Sequence, residues 1–98
     1  MSVSKDMKKN ASQASNFLKA MAHPARLMIL CMLIDGEKSV GEMLLHLPLS
    51  DTATSQHLAR LRADGLIDYR RDHRTLYYYV VDPDCKKLIK LLAQKFCP

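Results

Sequence analysis

The most reactive side chains of this chain belong to its three cysteines, Cys31, Cys85 and Cys97. Because their number is odd and no two have Cys-x-x-Cys spacing, they do not suggest a disulfide-stabilised scaffold. Cys31 lies in a leucine-rich run, which favours a small buried hydrophobe with a raised pKa and low reactivity. Cys97 is predicted to be accessible and therefore the first nucleophile. Cys85 lies at the start of a predicted helix, whose dipole would lower its pKa.

Other residue types with catalytic or metal-binding chemistry are scattered along the sequence. It contains no glycine-rich phosphate loop and no nucleophile with a matching base and orienting group, so neither an enzyme nor a cofactor is predicted. His46, His57 and His73 fall on three different predicted elements. Their separation favours core, surface or DNA-facing roles over metal ligation.

The composition is that of a small, basic, folded domain. The 98 residues suffice for a single domain spanning 1–98, and so small a core would gain stability from dimerisation. A net charge of +5 suggests a polyanionic partner, although charge by itself does not identify the fold. No apolar run approaches the roughly 20 residues that cross a bilayer, and the first residues are polar. We therefore expect no membrane association, no secretion and a cytoplasmic location.

Residue periodicity and helix-start signals predict seven elements in the order α-α-α-α-β-β-α. The first helix is predicted to span 6–22, and the second to begin at Pro24. The third is predicted to begin after Ser39, and the fourth to run from Ser50 to Gly65. Strands at 66–71 and 75–81 are joined by a turn at 72–74, and a last helix opens at Asp82-Pro83. The second helix is apolar on nearly all sides, so we expect it at the centre. The order predicts a mainly α winged helix-turn-helix protein with a β-hairpin.

The predicted fourth helix carries a face suited to the major groove of duplex DNA. Its apolar face is expected to dock on the core and comprises Ala53, Thr54, His57, Leu58, Leu61 and Gly65. Its other face is small and polar, with one arginine, and comprises Thr52, Ser55, Gln56, Ala59, Arg60 and Ala63. Glutamine can contact adenine in a bidentate manner, and Ser50 with the free N–H groups of the helix start can hold a phosphate. The alternative is an ordinary solvated helix face.

Basic residues cluster at the tip of the predicted hairpin, at Arg70, Arg71, His73 and Arg74. Such a tip can straddle phosphates or enter a minor groove. The alternative is a solvated charged loop that hinders aggregation at the strand edge. A helix-turn-helix and a basic wing in one short chain together favour DNA binding. The tyrosines at 77–79 alternate between faces of the strand, which favours packing of the hairpin on the helices over base stacking.

Four segments of the chain resemble the ArsR/SmtB family of dimeric winged-helix regulators. They are LKAMAHPARLMILCML (18–33), SVGEM (39–43), LSDTATSQHLARLRADGLI (49–67) and the wing RRDHRTLYYYV (70–80). The resemblance implies a homodimer, formed through the first and last helices, that binds an inverted repeat in double-stranded DNA with one half-site per subunit. It also implies base contacts from Thr52, Ser55 and Gln56, which lie on the polar face described above.

Many members of this family bind a metal, but this sequence lacks the ligands of their sites. The arsenic- and cadmium-type site needs a cysteine pair near the start of the third helix, where this chain has SVGEM. The zinc-type site needs Asp and His on the last helix, paired with His and Glu further along it. That helix reads DCKKLIKLLAQKFCP and contains no histidine, so no metal site is predicted.

The positions of Cys31 and Cys97 resemble those in the HlyU/BigR-type subgroup, whose members sense reactive sulfur species or oxidants. The resemblance implies a dithiol that converts to a disulfide or polysulfide link, changes the spacing of the two recognition helices and weakens DNA binding. A direct bridge would require Cα atoms within about 7 Å of each other. Two alternatives remain: a winged-helix regulator without a cysteine switch, and a winged helix used only for protein–protein contact. The basic wing disfavours the second alternative.

Overall fold

In a computed structural model of the chain, residues 5–97 are described and form five helices and a three-stranded antiparallel sheet. In chain order the elements are α1 (Lys5–Met21), α2 (Pro24–Leu33), β1 (Lys38–Ser39), α3 (Val40–Leu44), α4 (Asp51–Ala63), β2 (Ile67–Asp72), β3 (Thr75–Val80) and α5 (Pro83–Phe96). The predicted mainly helical winged helix-turn-helix fold is confirmed, and all seven predicted elements occur in the predicted order.

Helices α2 to α5 begin where a side chain accepts a hydrogen bond from the first turn. Ser39 Oγ accepts from the Glu42 backbone N–H at 3.2 Å, and Glu42 Oε1 accepts from the Ser39 N–H at 3.3 Å. The capping box expected at α3 is therefore present. Ser50 caps α4 by accepting from the Ala53 N–H at 3.1 Å, and Asp82 caps α5 in the same way. Each such cap stabilises its helix by about 1 kcal/mol.

The two-residue strand β1 is the element that the sequence did not predict. Lys38 and Ser39 pair antiparallel with Tyr78 and Tyr77, which gives the sheet the order β1-β3-β2. Two residues are too few to show the alternation by which strands are recognised. β1 therefore forms because the folded hairpin offers it an edge, and its last residue leads directly into α3.

The hairpin turn is tighter than predicted. Asp72 pairs with Thr75, so the turn consists of His73 and Arg74 rather than of 72–74. His73 has a positive φ of 56°, the kind of backbone conformation that two-residue hairpin turns need at their first position. His73 and Arg74 consequently lie at the extreme end of the wing.

The core lies where α2, α4, α5 and the sheet meet. Ile29 of α2, Leu61 of α4 and Ile89 of α5 are fully buried there. α2 packs against α4, α5 and β3 and so lies at the centre of the fold, as expected. One side of it is open nonetheless, where Met28 is exposed and Cys31 is only half-buried. These two residues line a groove between α2 and α5. Among the helices within residues 5–97, none is long and apolar enough to cross a membrane.

Candidate nucleic-acid interface and thiol groove

The outward face of α4 is made of small and polar side chains. Thr54, Leu58 and Leu61 anchor the opposite face, with at most 1% of each residue exposed. The residues expected on the outward face are all exposed, namely Thr52, Ser55, Gln56, Ala59, Arg60 and Ala63. The expectation that Gly65 docks on the core is wrong. Gly65 is exposed beyond the end of α4, with a φ of 77° that glycine adopts more readily than other residues.

The start of α4 offers hydrogen-bond donors to an anion. Ser50 Oγ accepts a hydrogen bond from the Ala53 N–H, which leaves the hydroxyl hydrogen able to donate to a phosphate oxygen. The first N–H groups of a helix lack partners within the helix, and the helix dipole favours negative charge near them. Asp51 also lies in this first turn, where its charge stabilises the helix and competes with a bound anion.

Arg60 lies on the same face, toward the end of α4. Its Nε donates to Asp64 Oδ2 at 3.2 Å, one helical turn further on. An exposed pair at this spacing contributes only about 0.3–0.5 kcal/mol, so Arg60 can exchange the carboxylate for a phosphate at little cost. The outward face of α4 thus combines short polar side chains with a cation that can be redirected.

The three arginines of the wing fall into two classes. Arg71 and Arg74 are exposed and have no hydrogen bond or ion pair with any other of the residues 5–97. Arg70 instead donates from Nε to both carboxylate oxygens of Glu37, at 2.8 and 3.0 Å. Its guanidinium carbon also lies 4.7 Å from the centre of the Tyr77 ring. The hydrogen bond from Arg70 lowers the pKa of Glu37, so this carboxylate remains charged at neutral pH.

The tyrosines of β3 follow the alternation expected of a strand. Tyr69 pairs with Tyr78 and Arg70 pairs with Tyr77 across the β2–β3 ladder. The Tyr69 and Tyr78 rings meet edge to face at 5.4 Å, and Tyr78 packs against the core. Burial raises the pKa of Tyr78. These contacts favour the packing interpretation of Tyr77 and Tyr78 over base stacking.

A cluster of His23, Arg26 and His57 attaches α4 to the corner between α1 and α2. Arg26 Nε donates to His57 Nδ1 at 3.3 Å, and Arg26 Nη1 donates to the carbonyl of Ala20 at 3.1 Å. The rings of His23 and His57 lie 4.6 Å apart. Burial, followed by His23 and Arg26, lowers the pKa of His57, which keeps the imidazole neutral and able to accept. Arg26 was not predictable from the sequence, because a contact between distant residues leaves no periodic signal.

Cys31 and Cys97 line one groove between α2 and α5, with a volume of about 290 Å³. The other lining residues are apolar: Leu27, Met28, Ile89, Leu92, Ala93 and Phe96. Both cysteines are free thiols; Cys31 is half-buried and Cys97 is exposed. Burial raises the pKa of Cys31, and Cys97 and Asp35 add to the effect. The fold therefore brings to one groove the two thiols that the resemblance linked.

The environment of Cys85 is opposite to the one expected. Cys85 is fully buried, and its Sγ lies 3.4 Å from Met21 Sδ. Burial, followed by the charge of Asp82, raises the pKa of Cys85 to about 11. The prediction of a lowered pKa is wrong because loss of solvation outweighs the helix dipole at this position.

Apolar side chains are exposed on the two terminal helices. Leu18 of α1 is 51% exposed, and Leu91 and Phe96 of α5 are 60% and 69% exposed. A second apolar groove, of about 210 Å³, lies beside them and is lined by residues of α1, α2 and α5. Within residues 5–97 no three His, Cys, Asp or Glu side chains are grouped so that they could hold a metal ion.

Comparison with known proteins identifies relatives that share this architecture. The sequence profile described as "Bacterial regulatory protein, arsR family" matches residues 23–69, from just before α2 into β2. Transcriptional activator HlyU of Vibrio cholerae serotype O1 is 48% identical over 92 residues, which cover 94% of this chain and 85% of that protein. The biofilm growth-associated repressor of Xylella fastidiosa is 36% identical over 92 residues, which cover 94% and 81%.

The fold agrees closely with a solved structure of one of these relatives. Reduced HlyU from Vibrio cholerae N16961 superimposes with a TM-score of 0.91 at 46% sequence identity, covering 97% of this chain and 100% of that one. The relatives are transcriptional regulators and not enzymes. This chain therefore belongs to the ArsR family of bacterial regulatory proteins and is a DNA-binding transcriptional regulator with a winged helix-turn-helix fold.

Proposed function

We propose that this regulator is a homodimer of a single domain, residues 1–98, that binds an inverted repeat in duplex DNA and releases it when Cys31 and Cys97 become linked. The exposed, small and polar face of α4 is the observation that carries the DNA-binding part. Thr52, Ser55 and Gln56 contact base edges in the major groove, and the buried opposite face of α4 holds them in place.

Phosphate contacts come from both ends of α4 and from the wing. Ser50 donates to a phosphate at the start of α4, and Arg60 does so near its end. Arg71 and Arg74 of the wing are exposed cations without a protein partner among residues 5–97. Arg70 belongs to the same basic wing, although Glu37 holds its guanidinium. Each neutralised phosphate makes DNA affinity more sensitive to salt.

The dimer forms through α1 and α5. Leu18, Leu91 and Phe96 expose large apolar side chains on these two helices, and a second copy would remove them from water. A two-fold symmetric pair presents two α4 helices, which explains the preference for an inverted repeat. Its half-sites would lie about one helical turn apart.

The switch is a two-step thiol reaction with a hydropersulfide, RSSH, as the oxidant. The exposed thiolate of Cys97 attacks the outer sulfur, the S–S bond of RSSH breaks, and RS⁻ leaves with the formation of Cys97–S–SH. The Cys31 thiolate then attacks the inner sulfur of that persulfide, which forms the Cys31–Cys97 disulfide and releases HS⁻. Both leaving anions can take up the protons given up by the two thiols. The raised pKa of Cys31 supports this order, with Cys97 reacting first.

Fluorescence anisotropy tests the whole proposal. The probe is a labelled duplex that carries the sequence enriched by the reduced protein from a random pool, and salt is held constant. We expect tight binding by the reduced protein, loss of binding after hydropersulfide treatment, and retained binding in Cys31→Ser and Cys97→Ser. Equal binding before and after treatment would leave the DNA-binding assignment intact but refute the cysteine switch. Both cysteines would then serve only as lining of the groove.

Gln56→Ala tests the assignment of α4 to the major groove. Loss of a bidentate contact to one base should remove about 1–3 kcal/mol of discrimination at a single base pair. Competition with duplexes substituted at each position in turn measures this loss. If every base preference survived in Gln56→Ala, the placement of α4 in the groove would be wrong.

A further inference from the structure

The Arg70–Glu37 ion pair joins β2 to the residue that immediately precedes β1, across the strand between them. We propose that this pair is a positioning device, which holds the wing at the angle to the helix-turn-helix at which Arg71 and Arg74 reach the DNA backbone. The inference rests on the proposed DNA-binding function. It assigns Glu37, an acidic residue, a role that supports the binding of a polyanion.

The geometry of the pair spans the whole width of the sheet. Arg70 of β2 lies opposite Tyr77 of β3, and Tyr77 lies opposite Ser39 of β1. Glu37 immediately precedes β1, so the side chain of Arg70 must cross β3, over the Tyr77 ring, to reach it. Two hydrogen bonds from Nε, at 2.8 and 3.0 Å, fix the carboxylate to the guanidinium in a defined orientation.

The Arg70–Glu37 ion pair acts where backbone hydrogen bonds contribute little to the attachment of β1 to the sheet. β1 has only two residues, so its ladder with β3 provides few hydrogen bonds. Ser39 ends β1 and also caps α3 through the capping box with Glu42. The Arg70–Glu37 ion pair therefore acts as a clamp. This clamp sets the orientation of the hairpin relative to the start of the helix-turn-helix.

The residues beyond the clamp are the ones that would contact phosphate. Arg71 follows Arg70 directly in β2, and Arg74 lies in the turn at the end of the wing. A small rotation of the hairpin at Arg70 is amplified toward this end. The Arg70 and Glu37 side chains are 49% and 38% exposed, and such surface pairs contribute little to global stability. Loss of the pair should therefore change the position of the wing without unfolding the domain.

Glu37→Gln separates this role from simple electrostatics, with Asp72→Asn as the matched control. Each substitution removes one negative charge from the same sheet. The carboxylate of Asp72 contacts the neighbouring His73 at 3.6 Å and, unlike that of Glu37, makes no ion pair across the sheet with another of the residues 5–97. If charge were the whole effect, both variants would bind DNA more tightly than the wild type. The proposal instead predicts that Glu37→Gln binds roughly three- to fivefold more weakly, while Asp72→Asn binds equally or more tightly.

The measurement is anisotropy on a duplex of about 30 base pairs that carries the sequence enriched by the wild type, repeated over a series of salt concentrations. Glu37→Gln should keep the wild-type slope of log K against log[salt], because the unclamped hairpin can still bring Arg71 and Arg74 to the DNA backbone, at the added cost of ordering the hairpin there. The double variant Glu37→Arg/Arg70→Glu should bind more tightly than either of its single variants, because it restores the clamp with exchanged charges. Thermal unfolding monitored by circular dichroism establishes that each variant is folded.

Three results would overturn the inference. Binding of Glu37→Gln that is as tight as or tighter than that of the wild type would make Arg70 a phosphate contact that Glu37 masks. Weaker binding with a reduced salt slope would mean that a phosphate contact had been lost. Absence of rescue in the charge-exchanged variant would remove the ion pair as the cause. A wild-type protein that binds no duplex would instead refute the DNA-binding proposal, and this inference with it.

Discussion

The surface formed by α4 and the wing tip differs from the α2–α5 groove in how its residues come together. Thr52, Ser55 and Gln56 belong to one helix, so their spacing alone places them on one exposed face. Cys31 lies on α2 and Cys97 just beyond the end of α5, and they line one groove because these helices pack together. The first surface is solvated and polar, whereas the groove is apolar.

This difference separates the two parts of the proposed function. On the solvated surface, affinity for DNA depends on charges and donors that can be removed one at a time. In the groove, packing sets the reactivity of a thiol, as the raised pKa of Cys31 demonstrates. Substitutions at one region should therefore leave the behaviour of the other region intact.

Leu91→Glu on α5 should have the largest effect. A charge in the proposed dimer interface would be desolvated without a partner, so we expect the protein to become monomeric. Affinity for an operator with two half-sites should then fall by about 10²–10⁴-fold, because the second contact is no longer intramolecular. Sedimentation velocity measures the oligomeric state, and anisotropy measures the affinity.

Leu45→Glu is the matched control for oligomeric state. Leu45 is 79% exposed but lies at the end of α3 rather than on α1 or α5. This variant should sediment like the wild type. A Leu91→Glu protein that also sedimented like the wild type would place the dimer interface elsewhere.

The alkylation rates of the three cysteines should differ by a factor nearly as large as the loss of affinity expected for Leu91→Glu. The pKa of Cys85 is about 11, against an ordinary value of 9.0, which reduces its thiolate fraction about 100-fold at neutral pH. Burial limits access further. Iodoacetamide labelling followed by mass spectrometry should find Cys97 modified first, Cys31 later, and Cys85 only after unfolding. Modification of Cys85 in the folded protein at the rate of Cys97 would contradict this order.

Arg71→Ala and Arg74→Ala should weaken DNA binding by a smaller factor, equally for all sequences. Each removes one phosphate contact, so the slope of log K against log[salt] should decrease in magnitude by about 0.9. Lys86→Ala changes an exposed lysine on a different side of α5 from Leu91; it is the control and should leave the slope unchanged. A change in base preference in either arginine variant would argue that the wing contacts bases.

The smallest effect should be a pH dependence of stability due to His57. Its pKa is lowered in the folded protein, so the native state binds a proton less readily than the unfolded chain. The free energy of unfolding should therefore be constant from pH 6.5 up to the alkaline range in which the cysteines titrate, and should decline as the pH falls from 6.5 through the native pKa of His57. Urea unfolding at successive pH values measures this decline. Glu37 and Asp68 also have lowered pKa values, but their effect on the free energy of unfolding falls in the pH range below 4.5.

His57→Gln should abolish the decline just below pH 6.5, because the titrating group is gone. His73→Gln, which changes an exposed histidine at the tip of the wing, should retain it. An unchanged decline in His57→Gln would shift the origin of the pH dependence to another group.

The amino-acid sequence by itself determined the elements and the outward face of α4. Helix caps and periodicity depend on residues within a few positions of each other, so the Ser39 capping box, the Ser50 cap and the exposure of Gln56 followed from local patterns. The basic wing tip was predictable for the same reason. These features hold for any packing that buries the apolar face of each helix.

Tertiary structure alone decided which distant groups meet. β1 needs the edge of a folded hairpin, and the Glu37–Arg70 pair needs β1 beside β3. The helix dipole at Cys85 was predictable, but the burial that overrides it was not. Burial and long-range contacts are properties of how helices and strands pack, and no spacing within the sequence encodes them. The shared groove of Cys31 and Cys97, on which the proposed switch depends, is therefore a product of the packing of α5 on α2.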